Sequence, residues 1–231
     1  MMDVRLAALF SGGKDSTFAI LAATERGHQV SCLVTLHPSF DDSPLFHYPN
    51  SWVTKWQSDA MRFPLLESGI KGSSKADETA ALEQALSVAK SRYAIDGILS
   101  GGISSKFQKG VFDKVAESQS LVHIAPSWGS NPKKYMSLML DKGFAVMIVG
   151  VSAMGLGKEW LGTIIDRKSL ANLQSLSEKY GFNLNFEGGE AETLVLDCPL
   201  FHKRVVVKRA TAHWDGQRGM FEIQEVALEE K

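Results

Sequence analysis

The segment that most restricts the fold is a pair of glycines between an apolar run and a helical pattern. Residues 4–10 are short and apolar, which is typical of a buried strand. Residues 17–27 follow a helical pattern and end in a glycine, as many helices do. Between them lies the sequence Ser-Gly-Gly-Lys-Asp-Ser, residues 11–16. The glycines are therefore predicted to form a strand-to-helix turn that opens a parallel α/β sheet.

This turn has the chemical features of a phosphate-binding site. The first N–H groups of a helix lack intrahelical acceptors, and the helix dipole favours negative charge there. Gly12 and Gly13 allow an anion to come close to the backbone. Lys14 is expected to add a mobile positive charge, and Ser11 and Ser16 are expected to add hydroxyl donors. The spacing of these residues matches neither the nucleoside-triphosphate loop nor the dinucleotide turn. The alternative to a phosphate-binding site is an ordinary capped turn.

A second glycine pair follows another predicted strand, at residues 98–100. In a parallel sheet, ligands bind beyond the carboxyl ends of the strands, at the point where the strand order reverses. Gly101, Gly102 and Ser104 are therefore predicted to face the first loop and to contact the same ligand. The alternative is a plain helix N-cap formed by Ser104 or Ser105, and both can hold together.

The turn-rich stretch at residues 127–132 predicts a domain boundary. We expect domains at 1–127 and 128–231, the first a Rossmann-like parallel sheet and the second a smaller α+β domain. In the second domain, strands are predicted over 145–151, 183–186, 194–197, 203–212 and 220–228.

An acidic segment lies between two of these predicted strands. Glu187, Glu190 and Glu192 stand close together with Gly188 and Gly189. So much negative charge costs stability unless a cation or hydrogen-bond donors compensate it. The segment therefore predicts a site, the alternative being a solvated acidic turn.

Composition excludes several classes of protein. The formal net charge is -1, which argues against general nucleic-acid binding. No apolar run has transmembrane length, and no signal-peptide pattern begins the chain. Cys32 and Cys198 form no C-x-x-C pair, which argues against a zinc site. We expect a cytoplasmic protein that does not bind membranes.

The motifs together resemble a known family. Residues 11–16 resemble the S-G-G-x-D-S loop of the N-type ATP pyrophosphatases. Residues 187–193 with 196–201 resemble the signature of the diphthine–ammonia ligases, or diphthamide synthases. The 155–162 loop and the 101–105 turn with Gln108 resemble further blocks in the same order. Ala191 stands where family members often have an aromatic residue. The resemblance is to the short, archaeal-type form and implies an adenine nucleotide alpha hydrolase-like (HUP) first domain.

The resemblance implies an ATP-dependent amidation of diphthine on translation elongation factor 2. Its carboxylate would attack the α-phosphorus to give an acyl-adenylate and pyrophosphate, and ammonia would then displace AMP. The resemblance assigns ATP to Ser11, Gly12, Gly13, Lys14, Asp15 and Ser16. The second glycine turn, with Gly101, Gly102 and Ser104, would contact ribose, adenine or the α-phosphate. Lys14, Asp15 and Glu190 would be catalytic, and Asp15 would be a Mg²⁺ ligand or a helix cap.

The acidic segment would bind the substrate. Diphthine carries a trimethylammonium group, which carboxylates or an aromatic face can bind. Glu187, Gly188, Gly189, Glu190 and Glu192, with Trp160, would bind this group or position ammonia. The implied partners are elongation factor 2 and ammonium. The question of whether the protein forms a homodimer is left open. The alternatives are a tRNA-modifying ATP pyrophosphatase and a non-catalytic module that binds ATP or AMP.

Overall fold

The structure is a computed structural model that describes residues 4–37, 50–72 and 74–231. The chain divides into two compact units, one ending at Trp128 and one beginning at Gly129. Within the described residues, no helix combines the length and the apolar character that a membrane crossing needs.

The first unit contains a five-stranded sheet in which all strands are parallel. Its strand order is β3-β2-β1-β4-β5, so the order reverses between β1 and β4. Such a reversal leaves a crevice at the carboxyl ends of the two central strands. The predicted Rossmann-like domain is confirmed. The elements are β1 (Arg5–Leu9), α1 (Lys14–Glu25), β2 (Gln29–His37), a 3₁₀ helix (Asn50–Val53), α2 (Thr54–Met61), β3 (Leu65–Gly69), α3 (Lys75–Tyr93), β4 (Gly97–Leu99), α4 (Lys106–Ser118) and β5 (Val122–Ile124).

Buried apolar side chains fix the central strands in place. β1 is buried from Leu6 to Leu9, as expected for a strand covered on both faces. α3 packs an apolar stripe against the sheet, including the fully buried Leu82 and Leu86. Each such leucine stabilises the fold by roughly 1.5–3 kcal/mol relative to an exposed position. The two central strands, whose carboxyl ends border the crevice, are therefore held in place by a rigid core.

The second unit contains a four-stranded antiparallel sheet with strand order β7-β6-β9-β8. It is an α+β unit, as predicted. The elements are α5 (Pro132–Asp141), β6 (Ala145–Val151), a 3₁₀ helix (Lys158–Trp160), α6 (Arg167–Tyr180), β7 (Ala191–Asp197), β8 (Lys203–Trp214) and β9 (Gly219–Glu230).

The prediction of a strand at residues 183–186 is wrong. These residues form turns instead, and Phe186 has a φ of 63°, in the left-handed region that interrupts a strand. β7 starts earlier than predicted, at Ala191. The acidic segment therefore connects a helix and a strand, and Glu192 lies within β7 rather than in the turn.

Candidate functional site

The 11–16 loop joins β1 to α1 at the reversal of strand order. Gly12 has a φ of 78°, which is strained for any side-chain-bearing residue. Gly13 is the N-cap, and the bond from Thr17 N–H to the Gly13 carbonyl, at 3.2 Å, is the first of the helix. By helix geometry, the N–H groups before Thr17 point out of the N-terminus. The loop therefore presents N–H groups at a helix N-terminus, an arrangement that suits an anion.

The two serines brace this loop across its ends. The Ser11 N–H donates to Ser16 Oγ at 3.3 Å, and the two hydroxyls lie 3.2 Å apart. Ser16 Oγ also donates to the Gly13 carbonyl at 3.1 Å. The hydroxyls thus hold the loop in shape, a task that the sequence pattern alone did not indicate.

Lys14 is buried rather than mobile, which corrects the expectation from the sequence. Its side chain is 2% exposed, and its Nζ lies 2.7 Å from Asp15 Oδ2. A buried ammonium is stable only with a hydrogen-bonded partner of opposite charge, which Asp15 provides. The N-cap position of α1 is occupied by Gly13, and Asp15 lies in the first turn of the helix. The loop therefore holds a positive charge already removed from water.

Gln57 on α2 supports the loop and was missed by sequence reasoning. It is fully buried, and its Nε2 donates to the Gly12 carbonyl at 2.8 Å. A Cβ added at Gly12 would collide with the same amide group. Nothing in the sequence pattern around Gln57 links it to residue 12, because the contact depends on tertiary folding.

The second glycine turn meets the first loop, as predicted. A Cβ added at Gly101 would lie 2.5 Å from the Asp15 carbonyl carbon and 2.6 Å from Ser16 N. Only glycine allows this approach of one backbone to the other. Ser105 caps α4 by accepting the Gln108 N–H at 3.4 Å, so the capping alternative also holds. Gly102 is half-buried, and Ser104 is exposed at the same turn.

Glu190 closes the acidic turn with its side chain. Its two carboxylate oxygens accept the N–H groups of Asn183 at 2.9 Å and Gly188 at 2.8 Å. Its carbonyl accepts the Ser152 N–H at 2.9 Å, which ties the turn to the end of β6. Hydrogen-bond donors thus compensate this carboxylate, as the charge argument required.

The other predicted residues of the acidic site lie around this turn. Glu187 is half-buried, and Glu192 lies opposite Gly150 in the β6–β7 pair. Gly189 has a φ of 79° at the turn's tip. Trp160 is only 8% exposed, so little of its ring is open to a ligand.

Comparison with protein families gives two matches along the chain. Residues 4–122 match the diphthamide synthase N-terminal domain, and residues 131–228 match the diphthamide synthase C-terminal domain. The two matches fall one in each compact unit.

Curated relatives agree with these matches. A mouse (Mus musculus) diphthine–ammonia ligase is 32% identical over an alignment of 228 residues that covers 90% of this chain and 85% of that protein. A human (Homo sapiens) diphthine–ammonia ligase is 32% identical over 222 residues, with 88% and 83% covered. A fission yeast (Schizosaccharomyces pombe) diphthine–ammonia ligase is 30% identical, with 93% of this chain but 38% of that protein covered.

Proposed function

The chain belongs to the diphthamide synthase family, and from this premise we propose that it is a diphthine–ammonia ligase. The reaction is the ATP-dependent amidation of diphthine on translation elongation factor 2. The diphthine carboxylate oxygen bonds to the α-phosphorus as pyrophosphate leaves. Ammonia then attacks the acyl carbon, AMP leaves, and the product is the amide diphthamide.

The observation that supports this most is the backbone contact between Gly101 and the Asp15–Ser16 peptide at the reversal of strand order. A parallel sheet offers its ligand crevice at this place. Two glycine turns from distant parts of the chain meet there beside a helix N-terminus. Together they suit a nucleotide whose phosphates contact backbone N–H groups.

The loop's own groups account for the activation step. A carboxylate is a poor acyl donor, and adenylation divides one difficult step into two easier ones. Charge develops on the pyrophosphate as it leaves, and oriented N–H groups stabilise such charge. The Lys14 ammonium is already desolvated, so its attraction for a phosphate oxygen is stronger than that of a solvated lysine.

Magnesium fits this scheme through the phosphates. Among the residues that the structure describes, no three His, Cys, Asp or Glu side chains form a group suited to a metal ion. Mg²⁺ is commonly held by phosphate oxygens, water and one or two carboxylates. We therefore propose Asp15 as a protein ligand of Mg²⁺ beside ATP, in exchange for its contact with Lys14.

The second domain would bind the diphthine-bearing protein. Glu187 and Glu192 supply negative charge that suits a trimethylammonium group, which has no N–H to donate. Both oxygens of Glu190 accept backbone N–H groups. Glu190 therefore acts by holding the turn that presents its neighbours.

Two alternative functions, tRNA modification and nucleotide binding without catalysis, require different properties of the chain. Sulfur transfer to tRNA needs a reactive thiolate, but burial raises the pKa of both Cys32 and Cys198 to about 12. A net charge of -1 also suits RNA poorly. A non-catalytic nucleotide-binding module would share the loop but would release no AMP.

The test is AMP formation from ATP, ammonium and diphthine-bearing elongation factor 2, with each component omitted in turn. AMP that requires all three supports the ligase. AMP that depends on tRNA supports the first rival, and ATP binding without turnover supports the second.

A paired substitution tests the role of the loop. Lys14→Met keeps an unbranched side chain that is one atom shorter and carries no charge, and it is expected to lower AMP formation at least a hundredfold. Lys168→Ala, at an exposed position on α6, is the matched control and is expected to retain full activity. Normal pyrophosphate release by Lys14→Met would overturn the assignment of the loop.

A further inference from the structure

Three side chains form a hydrogen-bonded chain beside the second glycine turn. Ser100 Oγ lies 2.8 Å from His123 Nε2, and His123 Nδ1 lies 2.6 Å from Asp113 Oδ1. The other oxygen of Asp113 accepts from Lys109 Nζ at 2.7 Å. Ser100 directly follows β4, His123 lies in β5, and the other two residues lie on α4.

The inner part of this chain is closed to solvent. Ser100 is 3% exposed and the His123 side chain is 4% exposed, whereas Asp113 is 45% exposed. Phe112 packs edge-on against the imidazole, with ring centroids 6.0 Å apart. The order of atoms matches that of a hydrolytic triad, but a substrate could not reach so buried a serine. A structural role of Ser100 and His123 within the nucleotide site agrees better with their burial.

The chemistry of the partners sets the tautomer of His123. An ionised Asp113 has no proton to donate, so Nδ1 must carry one. Burial lowers the pKa of His123 below its usual value, against the opposing effect of Asp113, so the ring is neutral at pH 7. Nε2 then accepts the Ser100 hydroxyl proton. Among the described residues, the charged groups that act on the ring are Asp113 and Lys109.

Ser100, which His123 orients, directly precedes Gly101, the residue that supports the 11–16 loop. Gly101 follows Ser100 and lies against the Asp15–Ser16 backbone. A rotation about the backbone bonds of Ser100 would therefore move Gly101 against that peptide. We propose that His123 is a positioning residue for ATP, because it orients Ser100 and so holds the second glycine turn against the phosphate loop.

The kinetic test uses AMP formation and so rests on the proposed function. His123→Phe keeps the ring packing but removes the acceptor, and it is expected to raise the KM for ATP about three- to tenfold, the effect of one net hydrogen bond. The kcat should change less than twofold. His123→Gln offers an amide oxygen near the position of Nε2 and should restore a KM within twofold of wild type. Equal KM values in the Phe and Gln variants would overturn the proposal.

A second substitution guards against poor folding of the Phe variant. Ser100→Ala removes the other end of the bond and should raise the KM for ATP by a similar factor. Combining it with His123→Phe should add no further increase, since both act through one contact. A wild-type KM in Ser100→Ala would contradict the proposal.

A control and a spectrum separate this inference from the proposed function. His213→Gln removes an exposed histidine that faces Glu222 on the other sheet, and it should leave the KM unchanged. The ¹⁵N resonances of the His123 ring, read without substrate, should show the proton on Nδ1, and a proton on Nε2 would overturn the inference. A wild-type protein that makes no AMP would count against the ligase, while this spectrum would still decide the tautomer.

Discussion

Substituting Gly101 by alanine tests the contact between the two glycine turns. Ordinary contacts of a Cβ begin near 3.4 Å. The Cβ added at Gly101 would lie 2.5 Å from the Asp15 carbonyl carbon, so the two backbones would have to separate by about 1 Å. The atoms in the way are backbone, which cannot rotate aside as a side chain can. The φ of Gly101 lies outside the left-handed region, so the effect is purely steric. Overpacking of this kind costs about 1–3 kcal/mol of stability.

The larger effect of Gly101→Ala is expected on catalysis. A displacement of about 1 Å in a group that positions the reacting atoms lowers the rate by about a hundredfold, or roughly 2.7 kcal/mol of barrier. The assay is kcat/KM for ATP in AMP formation, with urea unfolding measured alongside. Gly110→Ala is the matched control, because among the described residues no atom beyond its chain neighbours and the backbone of its own helix lies within 4 Å of the added Cβ. Alanine also favours helix α4 by about 1 kcal/mol. If Gly101→Ala keeps full kcat/KM, the steric reasoning is refuted.

Two further predictions concern stability. Glu190→Ala removes the acceptor of two backbone N–H groups and should lower the free energy of unfolding by about 2 kcal/mol in urea titrations. Glu178→Ala, which breaks an exposed pair with Lys133, should lower the free energy of unfolding much less, and equal losses would contradict the role given to Glu190. Burial lowers the pKa of His123, so the unfolded chain takes up its proton first as the pH falls below about 6.5. Stability should therefore decrease from pH 7 towards pH 5, and less steeply in His123→Phe; parallel curves would refute this.

The sequence predicted the features that depend on local pattern. An apolar run, two glycines and a helical stretch specified the turn at Gly12 and Gly13, and alternation of strands and helices predicted the parallel sheet. The place of the second glycine pair followed from a general rule about where such sheets bind ligands. Gly101 does lie against the first loop, although its distance from that loop could not be predicted from the pattern alone.

Features that depend on distant contacts could not be predicted. Residues 183–186 have a strand-like composition, but Phe186 adopts a positive φ and Glu190 ties the turn's N–H groups. His123 lies between apolar residues of a strand, where a histidine usually serves packing, and its partners lie on other elements. Lys14 was expected to be mobile because lysine side chains usually lie in water, and only the fold shows its burial beside Asp15.

Because Gln57 donates a hydrogen bond to Gly12, residues 11–16 alone do not contain all the contacts that support this loop. Residues 11–16 transplanted onto the end of another parallel strand would bring their serine braces with them. They would leave behind the amide on α2 that holds the Gly12 carbonyl. An engineer who wants this anion cradle in a new scaffold must therefore also transfer α2, a helix that no motif search would select.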